Sequence, residues 1–256
     1  MKTQFAVAGS MRSGTQSIHY YLSQHPSLHM CPIEKQGFFA NDLLFKLGYP
    51  QLTSYENQFS AKDEELIRGE VCPDYLFNAN CLSRLQIYNP DIKLIAILRN
   101  PAERAYSHWQ FAKNMGTEHR SFPEAIQDEL RLIKNDDNQK GHSYLSRGFY
   151  GMQVQNMLQY FDPHQILILK AEDLMDDASV VLYQIFQFLD VPYYEVDQVP
   201  QNLGDYNSSM DVKDYNSLLP VFKKDIYLLE ELLGWNCNDW LRPLNEYRPL
   251  MSLIDA

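Results

Sequence analysis

The chain has 256 residues, of which 45% are hydrophobic and 21% are charged, and its formal net charge is −11. This composition excludes a disordered chain, and the acidic balance argues against nonspecific nucleic-acid binding and against a polyanionic substrate, because both require clustered Lys and Arg. Four widely spaced cysteines form no metal or disulfide pattern, and the apolar N-terminus is too short for a signal peptide or a membrane span. We therefore expect a cytoplasmic protein without a metal, a nucleic-acid partner or a membrane anchor.

Short apolar runs alternate along the chain with segments of helical periodicity, the pattern of βαβ units around a parallel sheet. Strands are predicted at residues 5–8, 28–30, 67–71, 94–98 and 166–169. Apolar residues at helical spacing predict core helices over residues 150–161, 182–189 and 222–233. The fold prediction is α/β, a parallel β-sheet flanked by helices in a single domain of residues 1–256. Its nucleotide-binding core is expected over residues 1–190, with a C-terminal extension, residues 191–256, packed on the core.

The first predicted strand runs into a glycine-bounded loop, G-S-M-R-S-G-T-Q-S at residues 9–17, and then into a predicted helix. Glycines let backbone N–H groups converge on an anion, and the helix N-terminus adds free N–H groups and the positive end of its dipole. A permanent charge in the loop and several hydroxyl donors add to this attraction. We predict a phosphate-binding loop and a P-loop-like fold; the binding residues are Arg12, Ser13, Gly14, Thr15, Gln16 and Ser17.

The spacing of Gly9 and Gly14 matches the Walker A pattern G-x-x-x-x-G-K-[ST], but Thr15 and Gln16 occupy the positions of its lysine and hydroxyl. A nucleoside triphosphatase needs that lysine on its phosphates and that hydroxyl on magnesium. Here the cation is Arg12, inside the loop, which suits a ligand with one 5′-phosphate group and a bridging oxygen. A P-loop-type small-molecule kinase, which would need ATP and magnesium, is the alternative.

A second polar segment, R-N-P-A-E-R-A-Y-S at residues 99–107, follows the fourth predicted strand. Asn100 can cap free N–H groups and Pro101 suits the first helical position, so a helix is predicted to begin here. Arg99 and Ser107 would lie where a strand ends and a helix begins, which is where α/β sheets bind ligands. For Arg99 taken alone, a structural ion pair is as good an interpretation as a ligand contact.

With these two segments the chain resembles the sulfotransferases that use 3′-phosphoadenosine 5′-phosphosulfate (PAPS) as sulfuryl donor. Their phosphosulfate loop reads roughly [PG]-x-[RK]-[ST]-G-T-[TS], and their second signature is R-[DN]-P-x-x-R-x-x-S after an apolar strand. Weaker similarities to the heparan-sulfate and bacterial branch are G-E-V-C-P-D-Y-L at residues 69–76, R-G-F-Y at residues 147–150 and E-D-L at residues 172–174. The matches follow the family order from residue 4 to about residue 190.

The resemblance implies roles for five of these residues. Arg99 and Ser107 would grip the 3′-phosphate of the nucleotide, and the segment of Arg147 and Gly148 would close over it. Arg12 would contact the bridging oxygen and the 5′-phosphate, where charge builds during transfer. PAPS would be the co-substrate, and the departing nucleotide is already a good leaving group, so no metal is required.

A general base is needed for a hydroxyl acceptor. Heparan-type enzymes take a glutamate from a segment like [KE]-E-x-x-F-F, and the similar segment here reads E-K-Q-G-F-F at residues 34–39. Lys35 occupies the position of that glutamate, and Glu34 stands one residue earlier. Either a one-residue shift makes Glu34 the base, or Lys35 contacts the sulfuryl group and the base is another group: His25, His108 or Asp74.

The expected acceptor is a small molecule, because the chain lacks the basic cleft and membrane anchor expected of a polysaccharide enzyme. A neutral or cationic natural product would suit the acidic surface. Because similar bacterial enzymes sulfate guanidinium alkaloids of the saxitoxin type, the resemblance suggests such an acceptor, sulfated on oxygen or nitrogen. A non-catalytic nucleotide-binding module is a further alternative, favoured by the departure at Glu34 and Lys35. The acceptor and the oligomeric state stay open at this point.

Overall fold

The computed structural model describes residues 2–33, 36–46, 48, 50–59, 66–135, 143–199 and 209–245. Glu34 and Lys35 lie outside the described residues. Within the described ranges, no helix is both long and apolar enough to cross a membrane.

Five parallel strands form one sheet in the order β2-β3-β1-β4-β5. Their bounds agree with the predicted strands to within one residue at either end: β1 (Phe5–Gly9), β2 (Leu28–Met30), β3 (Ile67–Val71), β4 (Lys93–Leu98) and β5 (Ile166–Lys170). The central strands β1 and β4 are almost entirely buried, as their continuous apolar sequences require in a sheet covered on both faces. The predicted α/β fold is confirmed.

Helices connect the strands. They are α1 (Thr15–Leu22), α2 (Asp42–Lys46), α3 (Thr53–Glu56), α4 (Asp74–Phe77), α5 (Ala79–Tyr88), α6 (Pro101–Asn114), α7 (Phe122–Lys134), α8 (Tyr150–Met157), α9 (Ala171–Asp176), α10 (Ala178–Leu189) and α11 (Val212–Leu233). The three helices predicted from apolar periodicity are confirmed as α8, α10 and α11. Helix α8 ends before the predicted boundary, and α11 begins ten residues earlier than its apolar stripe.

The chain divides into two compact units. One contains Met1–Leu98 and Asn156–Asn202, and therefore the whole sheet with α1 to α5, α9 and α10. The other contains Arg99–Gln155 and Leu203–Ala256, and therefore α6, α7 and α11. The division into a core and an extension at residue 190 stays a prediction.

The hydrophobic core of the sheet-containing unit lies between one face of the sheet and the helices α1, α9 and α10. Burying these side chains is the main stabilising contribution to the unit. They include Phe5, Val7, Ile18, Leu22, Ile95, Ile97, Leu174, Leu182, Ile185 and Phe186. Because α1 packs on this core, the loop that precedes it is held at the edge of the sheet.

The strand order places a topological switch point at the carboxyl ends of β1 and β4. From β1 the chain proceeds to β2 and β3 on one side of the sheet, whereas β4 and β5 lie on the other side. Open α/β sheets bind ligands where connections diverge in this way. Strand β1 continues into the predicted phosphate loop, and β4 is followed in the chain by Arg99.

Candidate functional site

The loop between β1 and α1 is fastened to the neighbouring strand β4. The backbone N–H and the hydroxyl of Ser10 both donate to the carbonyl oxygen of Ile97, at 2.8 and 3.1 Å. The hydroxyl oxygens of Ser10 and Ser13 are 2.6 Å apart, and since Ser10 donates to the strand, Ser13 donates to Ser10. The Ser13 hydroxyl therefore closes the loop, and the sheet sets the position of the loop.

Two loop residues have left-handed backbone geometry, Arg12 with φ 68° and Gly14 with φ 89°. Such residues turn successive N–H groups toward one concave side, the arrangement of many anion-binding loops. Gly14 caps α1 without a side-chain hydrogen bond, and the first turn of α1 contains no acidic residue. The first N–H groups of a helix have no carbonyl partner within the helix, and its N-terminus is electropositive. The geometry is that of an anion-binding loop.

The remaining predicted loop residues form the first turn of α1. Thr15 and Ser17 are buried, and Gln16 is exposed. Burial raises the pKa of Tyr21, and a hydrogen bond from the Ser17 side chain lowers it. The Ser17 hydroxyl therefore interacts with its own helix. The six predicted binding residues, 12–17, form one continuous segment between β1 and the first turn of α1.

Helix α6 begins as predicted. The Oδ1 atom of Asn100 accepts the N–H groups of Ala102 at 3.0 Å and Glu103 at 3.4 Å, and Pro101 is the first helical residue. Arg99 is buried, and its Nη2 lies 3.0 Å from Oε2 of Glu103. The ion-pair interpretation of Arg99 is thus confirmed. The contact of Arg99 with a ligand stays a prediction.

Arg104 lies within electrostatic range of two further cations, the buried Arg99 and the half-buried Arg147. It is fully buried, and its Nη2 donates to the carbonyl oxygen of Tyr144. Among the described residues its Nε and Nη1 have no hydrogen-bond partner. Burial is the main cause that lowers the pKa of Arg104 to about 10; the charges of Arg147 and Arg99 also lower it, whereas Tyr150 and Glu129 raise it. A buried cation is costly unless an anion compensates it, so the two N–H-bearing atoms of Arg104 without a partner fit a bound anion.

The segment that contains Arg147 and Gly148 is fastened to α7. The carboxylate of Glu129 accepts the N–H groups of Leu145 and Ser146 and the hydroxyl of Ser146, each at 2.9 Å. These bonds define the backbone directly before Arg147. The buried Ser107 lies further along α6, in the same unit of the chain.

The two histidines considered as a base lie in different surroundings. The Nε2 atom of His25 bonds the carbonyl oxygen of Pro192 at 2.9 Å, and its Nδ1 accepts the N–H of Ser27 at 3.1 Å. His108 is buried with its ring 4.9 Å from that of Tyr144. His25 is therefore a structural residue, and His108 is packed in the protein interior.

The turn that follows residues 34–35 is held against the end of β3. The hydroxyl of Tyr75 donates to Oε1 of Glu70 at 2.9 Å, and it accepts the N–H of Phe39 at 3.4 Å. The hydroxyl of Tyr55 donates to the same carboxylate oxygen at 2.6 Å. Burial raises the pKa of Glu70, and the tyrosine hydrogen bonds lower it. This network fixes the turn next to the candidate base.

Sequence reasoning missed Arg104, Glu129 and Glu70. For Glu129 a signal exists, because the buried face of α7 comprises Phe122, Ala125, Ile126 and Glu129 at helical spacing. A carboxylate in such an apolar stripe indicates a buried partner. For Arg104 the signal is its place in the segment at residues 99–107, where the family signature also has an arginine.

The fold and the anion-binding features define a nucleotide-binding α/β protein. Residues 2–213 match the sulfotransferase domain family, and the chain belongs to this family of transferases. It is 25% identical to the membrane-associated sulfotransferase kil1 of Dictyostelium discoideum over 90% of the chain and 65% of that protein. It is 25% identical to the human bifunctional heparan sulfate N-deacetylase/N-sulfotransferase 3 over 75% of the chain, and 27% identical to human carbohydrate sulfotransferase 15 over 73%. The chain spans only 23% and 43% of those two proteins.

Solved structures show the same fold. A sulfotransferase from Alicyclobacillus acidocaldarius superimposes with a TM-score of 0.78 at 24% identity, covering 94% of this chain and all of that one. The sulfotransferase domain from the curacin biosynthetic pathway superimposes with a TM-score of 0.56 at 16% identity, covering 92% of this chain and 99% of that domain. The predicted P-loop-like parallel sheet is therefore confirmed as the sulfotransferase fold.

Proposed function

We propose that this protein transfers a sulfuryl group from PAPS to a hydroxyl or nitrogen of a small acceptor. Membership of the sulfotransferase family supports the reaction. The observation that carries the choice of donor is the fully buried Arg104, two of whose nitrogens have no hydrogen-bond partner among the described residues and so favour a bound anion. A donor with a 3′-phosphate supplies that anion, and ATP does not.

The two anion-binding regions have separate roles in this proposal. The loop of Arg12 to Ser17, with the N-terminus of α1, binds the 5′-phosphosulfate group. Arg99 and Ser107 bind the 3′-phosphate, and the segment of Arg147 and Gly148 closes over the nucleotide. Bound PAPS supplies an activated sulfuryl group and a leaving group that departs readily.

The chain's own residues orient the reactants and stabilise developing charge. Arg12 donates to the bridging oxygen and the 5′-phosphate, where negative charge accumulates as the sulfuryl group departs. The loop N–H groups and Thr15 hold the phosphate in line with the acceptor, which lowers the entropic part of the barrier. Glu34 removes the proton from a hydroxyl acceptor. In the alternative, Lys35 contacts the sulfuryl oxygens and another group is the base.

The acceptor is a neutral or cationic small molecule. The net charge of −11 supports this, because an acidic protein repels polyanions such as sulfated polysaccharides. Guanidinium alkaloids of the saxitoxin type are the specific class we propose. Transfer of radioactive sulfate from labelled PAPS to a panel of cationic, neutral and anionic acceptors tests this, and exclusive labelling of anionic glycans would refute it.

Calorimetry with 3′-phosphoadenosine 5′-phosphate (PAP) tests the donor, with ATP plus magnesium in parallel. We expect PAP to bind and Arg99→Ala to weaken it at least about tenfold, as for the loss of a charged hydrogen bond. Binding of ATP with magnesium but not of PAP would instead support a kinase. For the base, Glu34→Gln should lower turnover and leave the affinity for PAP nearly unchanged, and wild-type turnover in that variant would exclude Glu34.

A further inference from the structure

Helix α11 lies almost wholly beyond the residues that match the sulfotransferase family, which end at residue 213. One face of the helix is buried, and this face includes two polar side chains, Tyr215 and Asp225. Burying a polar side chain lowers the stability of the folded state unless the side chain forms a hydrogen bond. Their partners therefore indicate what the helix contributes.

Tyr215 contacts the residue that follows Arg99. The hydroxyl oxygen of Tyr215 lies 2.9 Å from Nδ2 of Asn100, which donates to it. This bond orients the amide of Asn100 so that its Oδ1 faces the first N–H groups of α6, as observed. The start of α6, and with it the backbone next to Arg99, is thereby held in one conformation.

Asp225 contacts the helix that follows Gly148. Its two carboxylate oxygens accept the N–H groups of Gly151 at 2.8 Å and Met152 at 3.0 Å. These groups belong to the first turn of α8, where N–H groups have no partner within the helix. Burial raises the pKa of Asp225, and the two N–H bonds lower it.

The packing around these contacts is close. A Cβ at Gly151 would lie 2.4 Å from the carbonyl oxygen of Asp225, and a Cβ at Gly148 would lie 2.8 Å from the Phe222 ring. Helix α11 therefore approaches the backbone at Gly148 and at Gly151 so closely that a side chain at either position would clash. Such contacts leave the segment little freedom to shift.

We propose that α11 is a positioning element for the 3′-phosphate site, acting through Tyr215 on the Arg99 segment and through Asp225 on the Arg147 segment. This role rests on the proposed function. Tyr215 and Asp225 do not touch the nucleotide. They hold two cationic segments in the geometry that binds phosphate, so that less ordering is required when the nucleotide binds.

The test compares PAP with AMP, which lacks only the 3′-phosphate, in calorimetric titrations of the full chain. Tyr215→Phe and Asp225→Asn should each weaken PAP binding about three- to tenfold and leave AMP binding unchanged, because about 1 kcal/mol of positioning is lost at one phosphate. The matched control is Tyr227→Phe on the exposed side of the same helix, which should change neither affinity.

The ratio of AMP to PAP dissociation constants separates positioning from general stability. A merely structural role would lower the melting temperature and leave the ratio at its wild-type value, and that result in Tyr215→Phe and Asp225→Asn would overturn the proposal. If Asp225→Asn does not fold, Tyr215→Phe alone decides the outcome. Wild-type protein that binds PAP no more tightly than AMP would refute the proposed 3′-phosphate site itself, before any variant is compared.

Discussion

Arg12 has a backbone φ of 68°, in a region that side chains other than glycine rarely adopt. Replacing it with glycine removes this strain and, in the same step, removes the cation that we place on the 5′-phosphosulfate group. Arg12→Gly should therefore raise the stability of the free protein and lower its affinity for PAP.

The magnitudes follow from the backbone and the charge. A left-handed conformation costs a non-glycine residue about 1 to 2 kcal/mol, and glycine returns about 0.5 to 1 kcal/mol of this through its freedom in the unfolded chain. The net gain of about 0.5 to 1 kcal/mol corresponds to a rise of roughly 1 to 4 °C in melting temperature. A charged hydrogen bond contributes about 1.5 to 3 kcal/mol, so PAP should bind about ten- to a hundredfold more weakly.

Calorimetric titration with PAP and thermal unfolding of the free protein measure the two effects. The matched control is Asp190→Gly, because Asp190 has a φ of 61° at the C-terminal cap of α10 and no part in the proposed site. The control should gain comparable stability and bind PAP like the wild type. Unchanged PAP affinity in Arg12→Gly would refute the assignment of Arg12, and lowered stability would refute the strain argument.

Four further substitutions give testable predictions. Gly14→Ala should lose about 1 kcal/mol of stability and bind PAP more weakly, because its new Cβ would lie 2.9 Å from a Leu174 methyl group. Gly234→Ala, with φ 66° and open space around it, should lose similar stability in thermal unfolding but keep its PAP affinity. Arg104→Met should leave the melting temperature unchanged or higher, as for other buried unpaired charges, and weaken PAP binding about tenfold in calorimetry. Hydrogen bonds from Arg120 lower the pKa of Glu118 from 4.5 to about 2. The ionised carboxylate therefore stabilises the folded state above pH 4.5, and this contribution is lost as the pH falls to 2. In Glu118→Gln, the free energy of unfolding measured by urea titration should fall less steeply between pH 4.5 and 2.

The strands could be predicted because a parallel sheet buries both faces of its inner strands. Residues 93–98 read K-L-I-A-I-L and are buried from Leu94 onward, so the apolar run alone marks the element. The phosphate loop was equally readable, since its chemistry lies in backbone N–H groups and their glycines. Asn100 and Pro101 marked the start of α6 for a similar local reason.

Long-range partners could not be predicted in this way. Asn100 and Tyr215 are 115 residues apart, and nothing local to either residue identifies the other. The left-handed backbone of Arg12 is also set by the surrounding loop, since its side chain does not favour that conformation. The apolar stripe of α11 was visible in the sequence. The role of its two buried polar residues, Tyr215 and Asp225, could not be predicted, because their hydrogen-bond partners lie in distant segments.

Buried carboxylates account for the geometry of the R-G-F-Y segment at residues 147–150. Glu129 of α7 bonds the backbone directly before the segment, and Asp225 of α11 bonds the backbone at its end. Burying either carboxylate opposes folding unless donors satisfy it, whereas each here accepts at least two backbone N–H groups that would otherwise lack partners. The segment is thus fixed from both sides by helices distant in sequence.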